Sequence, residues 1–190
     1  MSSDDAQRWD RRYQADERYA KNDAPRSFLV ENLNHLPKRG LALDVAAGLG
    51  GNAGYLIKRG LQVVGIDISA VAIRRAKKRW PELMAVLADL NHFYLPENSF
   101  DLILNFFYLQ HDLWSQYKQA LRPGGVLVYE TLTMEMLQVN PDMQPRYLLR
   151  QGELREAFVD WNIIVYEEGW TAGRSDKPRA VASLVAQKPE

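Results

Sequence analysis

The sequence contains no cysteine and only three histidines. The absence of cysteine excludes disulfide bonds, zinc–thiolate centres and a cysteine nucleophile. The histidines are His35, His92 and His111, and this dispersed spacing matches no metal-binding motif. We therefore expect no metal ion among the cofactors.

The sequence also lacks an excess of charge of either sign, because lysine plus arginine and aspartate plus glutamate each number 24. Proteins that grip phosphate backbones usually carry a basic excess or a basic face. One basic cluster occurs between Arg74 and Arg79. Its cations suit the exposed last turns of a helix, where they complement the helix dipole. We expect no nucleic acid among the partners.

Long hydrophobic runs are absent as well. No apolar run approaches the roughly 18 residues that a membrane-spanning helix needs. The chain opens on Met-Ser-Ser-Asp-Asp, which is polar and acidic and unlike a signal peptide. These absences predict a cytoplasmic protein without a membrane partner. The sequence leaves open whether the protein is a monomer or a homodimer. The length of 190 residues suits a single domain.

What the sequence does have is a regular alternation of short apolar segments with amphipathic ones. Such alternation predicts βαβ units and a parallel sheet that helices cover on both faces. The predicted strands are residues 41–45, 62–67, 83–88, 100–105, 126–131, 162–168 and 179–187. The predicted helices are residues 4–19, 23–35, 52–59, a segment capped by Ser69 and ending at Arg79, a segment capped by Asp112 and ending at Leu121, and residues 151–158.

Polar residues stand at the ends of several predicted strands. In open parallel sheets, ligands bind beyond the carboxyl ends of the strands, and Asp44, Asp67, Asp89 and Asn105 occupy such ends. The glycine-rich turn at residues 48–51 lets the backbone bend sharply and approach a ligand closely. A carboxylate at Asp67 can accept two hydrogen bonds from a ribose diol, and one at Asp89 can accept a bond from an adenine amine.

Two cofactor classes fit this arrangement. Residues 48–53 match the G-x-G-x-x-G/A pattern of dinucleotide-binding turns, so an NAD-dependent oxidoreductase is one alternative. Asp44, directly before the turn, favours the other class, because a carboxylate there can hold a substrate amine and would repel a pyrophosphate. The segment Leu-Arg-Pro-Gly-Gly at residues 121–125 then introduces the fifth strand.

Together, these segments resemble class I S-adenosylmethionine-dependent methyltransferases. Residues 44–50 are similar to their first motif, D-x-G-x-G-x-G, with Ala46 where the first glycine is usual, and residues 121–125 are similar to their motif before strand five. The resemblance covers roughly residues 8–188. It implies a Rossmann-like, doubly wound α/β fold with a seven-stranded, mostly parallel sheet, helices on both faces and an antiparallel last strand. It implies S-adenosyl-L-methionine as the cofactor, with contacts from Asp44, Ala46, Gly48, Gly50, Asn52, Asp67, Ile68, Asp89, Leu90 and Asn105.

The closer resemblance is to the small tellurite-resistance and thiopurine type of methyltransferase. The segment from Trp9 to Tyr13 is similar to the W-D-x-R-Y segment of that group's N-terminal helix, which closes over the cofactor. The resemblance implies that Trp9, Arg12 and Tyr13 bind the cofactor, with the arginine near its carboxylate. In the tellurite-type enzymes, a His-Arg pair and a later arginine near the C-terminus face the substrate. Arg174 and Arg179 could match these arginines, with Gly173 in the place of the histidine, or they could be solvated residues of a loop between strands.

Candidate catalytic residues follow the fourth predicted strand. Methyl transfer from a sulfonium is an in-line displacement in which positioning supplies much of the rate. Phe106 and Phe107 either line the site or pack into the core at the strand end. Aromatic faces favour a cationic sulfonium by about 0.5–2 kcal/mol. His111 is a candidate base because histidine titrates nearest neutral pH, although it could simply start the next helix. The catalytic candidates after this strand are Tyr108 and His111. The third candidate is Arg174, near the C-terminus.

The sequence thus predicts a methyltransferase that acts on a small-molecule acceptor: a thiol, an oxyanion, a hydroxyl or an amine. Residues 1–36 would form a helical cap over the cofactor, residues 41–132 the cofactor-binding core, and residues 133–190 the substrate side. A non-catalytic S-adenosylmethionine-binding protein is a second alternative. Residues 105–108 also resemble the N/D-P-P-Y/F signature of amino-methylating DNA enzymes, but both prolines are missing.

Overall fold

Seven strands form one sheet in the computed structural model of the chain, which describes residues 3–15, 24–172 and 177–190. The strands are β1 (Leu41–Val45), β2 (Gln62–Asp67), β3 (Met84–Leu87), β4 (Phe100–Phe106), β5 (Leu121–Leu132), β6 (Asn162–Ala172) and β7 (Pro178–Gln187). Their order across the sheet is β3-β2-β1-β4-β5-β7-β6. Strands β1 to β5 pair in parallel, and β7 is antiparallel to β5 and β6. The predicted fold class is therefore confirmed, including the antiparallel last strand.

Helices cover both faces of this sheet. They are α1 (Ser3–Ala15), α2 (Ser27–Glu31), α3 (Gly51–Ile57), α4 (Ala70–Arg79), α5 (Asp112–Ala120) and α6 (Glu153–Ala157), with 3-10 turns at Leu33–His35, Met134–Gln138 and Pro145–Tyr147. One buried cluster contains Leu43 and Ile103, and the other contains Ala42 and Leu102. Successive residues of a strand point to opposite faces, so central strands that are covered on both sides must be apolar throughout.

The starts of two helices test the predicted caps. Ser69 caps α4 as predicted, because its hydroxyl oxygen accepts the N–H of Ala72 at 3.1 Å. The predicted cap at Asp112 is wrong: Asp112 is the first residue of α5, and His111 precedes it without a capping side-chain hydrogen bond. The Asp112 carboxylate instead stands in the first turn, where negative charge complements the helix dipole.

Several elements differ in length from their predictions. β5 begins at Leu121, because that residue pairs with Phe100 across an irregular register. β6 continues to Ala172, which pairs with Pro178 of β7. Helix α1 is described to Ala15, and residues 16–23 lie outside the described residues, so the predicted end at residue 19 is not covered.

Helix α3, which follows the glycine turn, lies close to Trp80 at the end of α4. This approach requires a glycine at position 54, because a Cβ there would overlap the Trp80 indole. Cationic groups of Lys58 and Arg79 lie over the same indole, 5.0 and 5.5 Å from the ring centroid. The indole is therefore packed on more than one side and has little freedom to move away.

Replacement of Gly54 by alanine is expected to lower the free energy of unfolding by about 1–3 kcal/mol, the usual cost of overpacking. Helix propensity acts in the opposite direction and favours alanine by about 0.5–1 kcal/mol. Urea unfolding measures the sign. The control is Gly54→Ala in a Trp80→Ala background, where the indole is gone and alanine should stabilise the helix. A Gly54→Ala protein that is more stable than wild type would contradict the close packing.

Candidate active site

Three carboxylates that the sequence predicts as site residues lie at the carboxyl ends of neighbouring parallel strands. Asp44 belongs to β1, Asp67 ends β2, and Asp89 follows β3, and these strands are neighbours. β1 lies between β2 and β4, so the strand order reverses at β1. Such a reversal opens a crevice beyond the carboxyl ends of the strands, which is where open α/β sheets bind ligands.

The turn after β1 contains three residues with left-handed backbone, Ala46 (φ 52°), Gly48 (φ 55°) and Gly50 (φ 71°). Glycine adopts this conformation freely, whereas alanine does so at a cost of about 1–2 kcal/mol. Gly48 has no room for a side chain, because its Cβ would lie 2.6 Å from the hydroxyl oxygen of Tyr13. Strain of the kind held at Ala46 is concentrated in functional turns.

Asp67 is 6% exposed, and both of its carboxylate oxygens face backbone donors. Oδ2 accepts the N–H of Gly48 at 2.8 Å, and Oδ1 accepts the N–H of Ser69 at 2.8 Å. Burial raises the pKa of Asp67 from 3.8 to about 6, although these hydrogen bonds act to lower it. Each carboxylate oxygen has a second acceptor site, so ionised Asp67 can accept two further hydrogen bonds from a ligand.

Asp44 is 1% exposed and lies beneath the glycine turn. Its Oδ2 accepts the N–H of Ala53 at 3.2 Å. Burial and, to a smaller extent, the charge of Asp67 raise the pKa of Asp44 from 3.8 to about 7, although the Ala53 N–H and Arg26 act to lower it. A buried carboxylate at this position would oppose the pyrophosphate of a dinucleotide and favour a ligand that is cationic or donates hydrogen bonds.

Two cavities meet in the crevice. The first cavity, of about 120 Å³, is lined by Trp9, Tyr13, Arg26, Ala46, Asp67, Ile68, Ala88, Asp89, Leu90, Phe106, Phe107 and Tyr108. The second cavity, of about 50 Å³, extends over the glycine turn and is lined by Tyr13, Ala24, Arg26, Asp44, Ala46, Ala47, Gly48, Leu49, Gly51, Asn52 and Phe106. Tyr13, Arg26, Ala46 and Phe106 line both cavities. The two therefore form one elongated site.

Helix α1 forms a wall of this site and is held there by α4. Asp10 Oδ1 accepts the Ser69 hydroxyl at 2.5 Å and the Val71 N–H at 3.0 Å. These bonds satisfy donors at the N-terminus of α4 that have no partner inside their own helix. Arg75 donates to the carbonyl of Tyr13 at 2.7 Å. Asp10 was not among the predicted site residues, although it lies inside the segment that resembles the family's N-terminal helix.

Arg26 lines both cavities and was also missed. Its backbone N–H donates to Asn52 Oδ1 at 2.9 Å, and its guanidinium lies 4.6 Å from the ring centroid of Phe107. Phe107 adopts a left-handed φ of 58°, and its N–H donates to the carbonyl of Glu130 at 2.8 Å. No motif marks Arg26, because only the tertiary fold brings the segment before α2 to the crevice.

A third cavity, of about 320 Å³, shares Arg26 with both other cavities and Phe107 with the first. Strands β5, β7 and β6 form its floor, and the start of α2 forms its upper side. The guanidinium of Arg179 in β7 also lies over the Phe107 ring, at 5.2 Å. The residues that line this third cavity are Arg26, Ser27, Phe28, Glu31, Phe107, Glu130, Glu167, Glu168, Gly169, Trp170, Thr171, Ala172, Arg179, Val181 and Ser183.

Ten of the predicted cofactor-binding residues line the first or second cavity: Trp9, Tyr13, Asp44, Ala46, Gly48, Asn52, Asp67, Ile68, Asp89 and Leu90. Three others line none of the three cavities. Arg12 is exposed, with its guanidinium 4.9 Å from the ring of Trp9. Gly50 precedes α3 as its N-cap, and Asn105 is buried and donates to the Tyr117 hydroxyl at 2.8 Å. Their contributions to ligand binding stay predictions.

The catalytic candidates separate in space. Tyr108 lines the first cavity, and its hydroxyl donates to Gln110 Oε1 at 2.6 Å. His111 lines none of the three cavities; its side chain is 48% exposed, and its Nε2 lies 3.2 Å from Glu153 Oε1. Arg174 lies outside the described residues. All three roles stay predictions.

Across the described ranges, no group of three or more histidine, aspartate or glutamate side chains is arranged to hold a metal ion. None of the helices described for the chain is long and apolar enough to span a membrane.

Comparison with known proteins finds similarity over the glycine turn and the strands from β1 to the start of β5. Residues 42–125 match the family model described as a methyltransferase domain. The malonyl-[acyl-carrier protein] O-methyltransferase of Enterobacter lignolyticus is 32% identical over 123 residues, 61% of this chain and 49% of that protein. The demethylmenaquinone methyltransferase of Renibacterium salmoninarum is 28% identical over 132 residues, 66% of this chain and 54% of that protein. The chain spans about half the length of these curated relatives.

Solved structures share the whole fold at low identity. TehB from Haemophilus influenzae is 16% identical with a TM-score of 0.74, and the match covers 95% of this chain and 67% of that one. The [4+2]-cyclase SpnF is 16% identical with a TM-score of 0.76, and the match covers 100% of this chain and 96% of that one. At these identities the likeness shows the fold alone. Because one of the two is named a cyclase, the reaction must be argued from the site.

Proposed function

We propose, on the premise that this chain carries a class I S-adenosylmethionine-dependent methyltransferase domain, that it transfers the methyl group of S-adenosylmethionine to a small-molecule acceptor. The observation that carries the proposal is the placement of Asp67 and Asp89 around one cavity beside the glycine turn. These carboxylates face the space in which a ribose and an adenine would lie. The adjoining second cavity gives the amino-acid part of the cofactor a place over the turn.

The chemistry of the lining residues fits this cofactor. Ionised Asp67 has acceptor sites left for the two ribose hydroxyls, since its described bonds use one site on each oxygen. Asp89 can accept from the adenine amine. Trp9 and Tyr13 bring aromatic faces to the site, and such faces attract a sulfonium. When bound, S-adenosylmethionine supplies an electrophilic methyl group, and the residues of the chain bind it, orient it and exclude water.

We further infer the architecture of the tellurite-resistance and thiopurine type, with residues 1–36 as the cap, 41–132 as the core and 133–190 as the acceptor side. The bonds from Asp10 to α4 support the cap, because they hold α1 against the cofactor cavities. The third cavity supports the acceptor side, because β6 and β7 line it and it adjoins the first cavity at Phe107. An acceptor in the third cavity would reach the methyl group past that ring.

Calorimetric titration with S-adenosylhomocysteine, and separately with NAD, tests the cofactor. Binding of S-adenosylhomocysteine without binding of NAD is expected, and the reverse result would overturn the proposal in favour of an oxidoreductase. Incubation with S-adenosylmethionine and a thiol, an oxyanion, an alcohol or an amine then tests catalysis through release of S-adenosylhomocysteine. Tight binding without release from any acceptor class would identify a non-catalytic binding protein.

A further inference from the structure

Three side chains form a polar row on the floor of the third cavity. Glu130 of β5 pairs in register with Ser183 of β7, and Ser183 pairs with Glu167 of β6. Residues in register on adjacent strands project to the same side of the sheet, about 5 Å apart. Ser183 is buried and Glu130 half-buried, whereas Glu167 at the outer strand is exposed; buried polar groups are unfavourable unless they find a partner. The floor of the third cavity therefore suits a polar ligand.

Among the residues that the structure describes, Glu130 uses only one of its two carboxylate oxygens. Its Oε2 accepts the hydroxyl of Ser183 at 3.1 Å. Its Oε1 has no hydrogen-bond partner in the part of the chain that the structure describes, and Glu130 lines the cavity. Burial raises the pKa of Glu130, although the bond from Ser183 lowers it. A carboxylate with a raised pKa is a stronger proton acceptor when it is ionised.

The charges around Glu130 favour a cationic ligand. Three glutamates whose carboxylates are not bonded elsewhere, Glu31, Glu130 and Glu167, and two arginines line the third cavity within the described residues, so acidic groups exceed basic ones by one. The carboxylate of a fourth, Glu168, is held by Tyr166 and the Gly152 N–H on the other face of β6. Both arginines, Arg26 and Arg179, have their guanidiniums over the Phe107 ring, at 4.6 and 5.2 Å, on the wall shared with the first cavity. The basic charge thus lies at this wall, from which both guanidiniums lower the pKa of Glu130, whereas Glu167 lies across Ser183 from Glu130 on the floor.

Room for a side group exists next to the polar row. Gly169 of β6 pairs with Val181 of β7, and a Cβ built on Gly169 would meet nothing within 4 Å. Beyond it, Thr171 pairs with Arg179. The cavity therefore continues from Glu130 along the two strands, and an acceptor can place its reactive group at Glu130 and the remainder over Gly169.

We propose that the third cavity binds a small primary or secondary amine as the methyl acceptor and that Glu130 takes the proton from its ammonium group. This inference rests on the proposed function and names the substrate class of that site. The ammonium N–H donates to Glu130 Oε1, and the proton passes to that oxygen. The freed nitrogen lone pair forms the bond to the methyl carbon while the carbon–sulfur bond breaks and leaves its electron pair on sulfur. The methylated product carries the positive charge away, and Glu130 returns the proton to water.

Deprotonation is needed because an ammonium has no lone pair and repels a sulfonium. The other charged groups that face Glu130 are Arg26 and Arg179, whose charges lower its pKa, and Glu31, whose charge raises it. Glu167 lies in the same polar row. The arginines stay charged at every working pH. Methyl transfer to an amine should therefore decrease on acidification as Glu130 takes up a proton, with Glu31 and Glu167 as the other carboxylates of the cavity.

Three probes that share one carbon skeleton test the ligand class by binding alone: phenethylamine, phenethyl alcohol and hydrocinnamate. Each is titrated into the protein saturated with S-adenosylhomocysteine while the backbone amide NMR signals of Glu130 and Ser183 are followed. Phenethylamine is expected to shift these signals, and the alcohol and the acid are expected to shift them far less. Glu130→Gln should abolish the amine shift and leave the affinity for S-adenosylhomocysteine unchanged. Larger shifts with hydrocinnamate than with the amine would overturn the proposal.

Methyl transfer to phenethylamine and to putrescine, followed by mass spectrometry, tests the proton transfer. Glu130→Gln is expected to slow transfer by about 10²- to 10⁴-fold, the usual contribution of a general base. It should also remove the decrease in rate at acidic pH, and Glu130→Asp should restore part of the rate. The control is Glu82→Gln, an exposed residue outside the three cavities. Wild-type rates in Glu130→Gln would refute the role of Glu130, whereas failure to bind S-adenosylhomocysteine would refute the proposed function instead.

Discussion

Replacement of Asp67 by alanine is expected to weaken S-adenosylhomocysteine binding by about 100-fold or more. Two charge-assisted hydrogen bonds to the ribose would be lost, each worth about 1.5–3 kcal/mol, and about 1.4 kcal/mol corresponds to a tenfold change in affinity. Asp67 also holds the N–H groups of Gly48 and Ser69, both at 2.8 Å. The glycine turn would therefore lose an anchor as well as a ligand contact. Calorimetric titration of both proteins measures the difference.

The matched control is Asp101→Ala. Asp101 also accepts a backbone N–H, that of Leu41 at 2.7 Å, and forms an ion pair with Arg122 at 2.7 Å. It lies near the start of β4, at the ends of the strands away from the crevice. Its loss should reduce stability and leave the affinity for S-adenosylhomocysteine unchanged. Equal losses of affinity in the two variants would show that general destabilisation, and not a ribose contact, explains the effect. An unchanged dissociation constant in Asp67→Ala would remove Asp67 from the site.

Local sequence patterns were sufficient to predict the central strands of the sheet. β1 and β2 have the bounds that their sequence patterns predict, because buried parallel strands read as short apolar runs between turn residues. The carboxylates at their ends could be predicted for the same reason: the end of an apolar run fixes which residue meets the crevice. Ser69 was predictable as a cap, since a cap depends on residues within one helical turn.

Non-local contacts account for what the sequence did not reveal. Asp10 reaches its partners Ser69 and Val71 across 59 and 61 residues of chain, and only the docking of α1 on α4 brings them together. Glu130 stands in an apolar strand, and its hydrogen-bond partner Ser183 comes 53 residues later. The third cavity arises from three adjacent strands whose order in the sheet differs from their order in sequence. The hydrophobic periodicity of a sequence cannot reveal contacts between residues that are distant in sequence, because it describes one helix or strand at a time.

Replacement of Asp44 by asparagine is expected to make the unliganded protein more stable at mildly alkaline pH. Burial raises the pKa of Asp44 from 3.8 to about 7. The folded protein therefore binds this proton more tightly than the unfolded chain does. The contribution of protonated Asp44 to the free energy of unfolding is complete below about pH 4 and is lost as the pH rises to about 7. Each tenfold change in proton affinity corresponds to about 1.4 kcal/mol, which gives a cost of about 4 kcal/mol above the folded pKa. A weaker bond to the Ala53 N–H reduces the gain from asparagine to about 2–3 kcal/mol.

Urea unfolding at about pH 5 and pH 8 measures this effect. The free energy of unfolding of the wild-type protein should be lower at the higher pH, and Asp44→Asn should remove most of that decrease. The remainder comes from Asp67, whose pKa is also raised, to about 6. The control is Asp101→Asn, at the opposite ends of the strands, which should keep the wild-type pH dependence. An Asp44→Asn protein that is less stable than wild type at both pH values would contradict a cost of burying the Asp44 charge. Asp44 lines the second cavity, beneath the strained turn. Since stabilising changes at a functional site commonly cost function, Asp44→Asn should also bind S-adenosylhomocysteine more weakly.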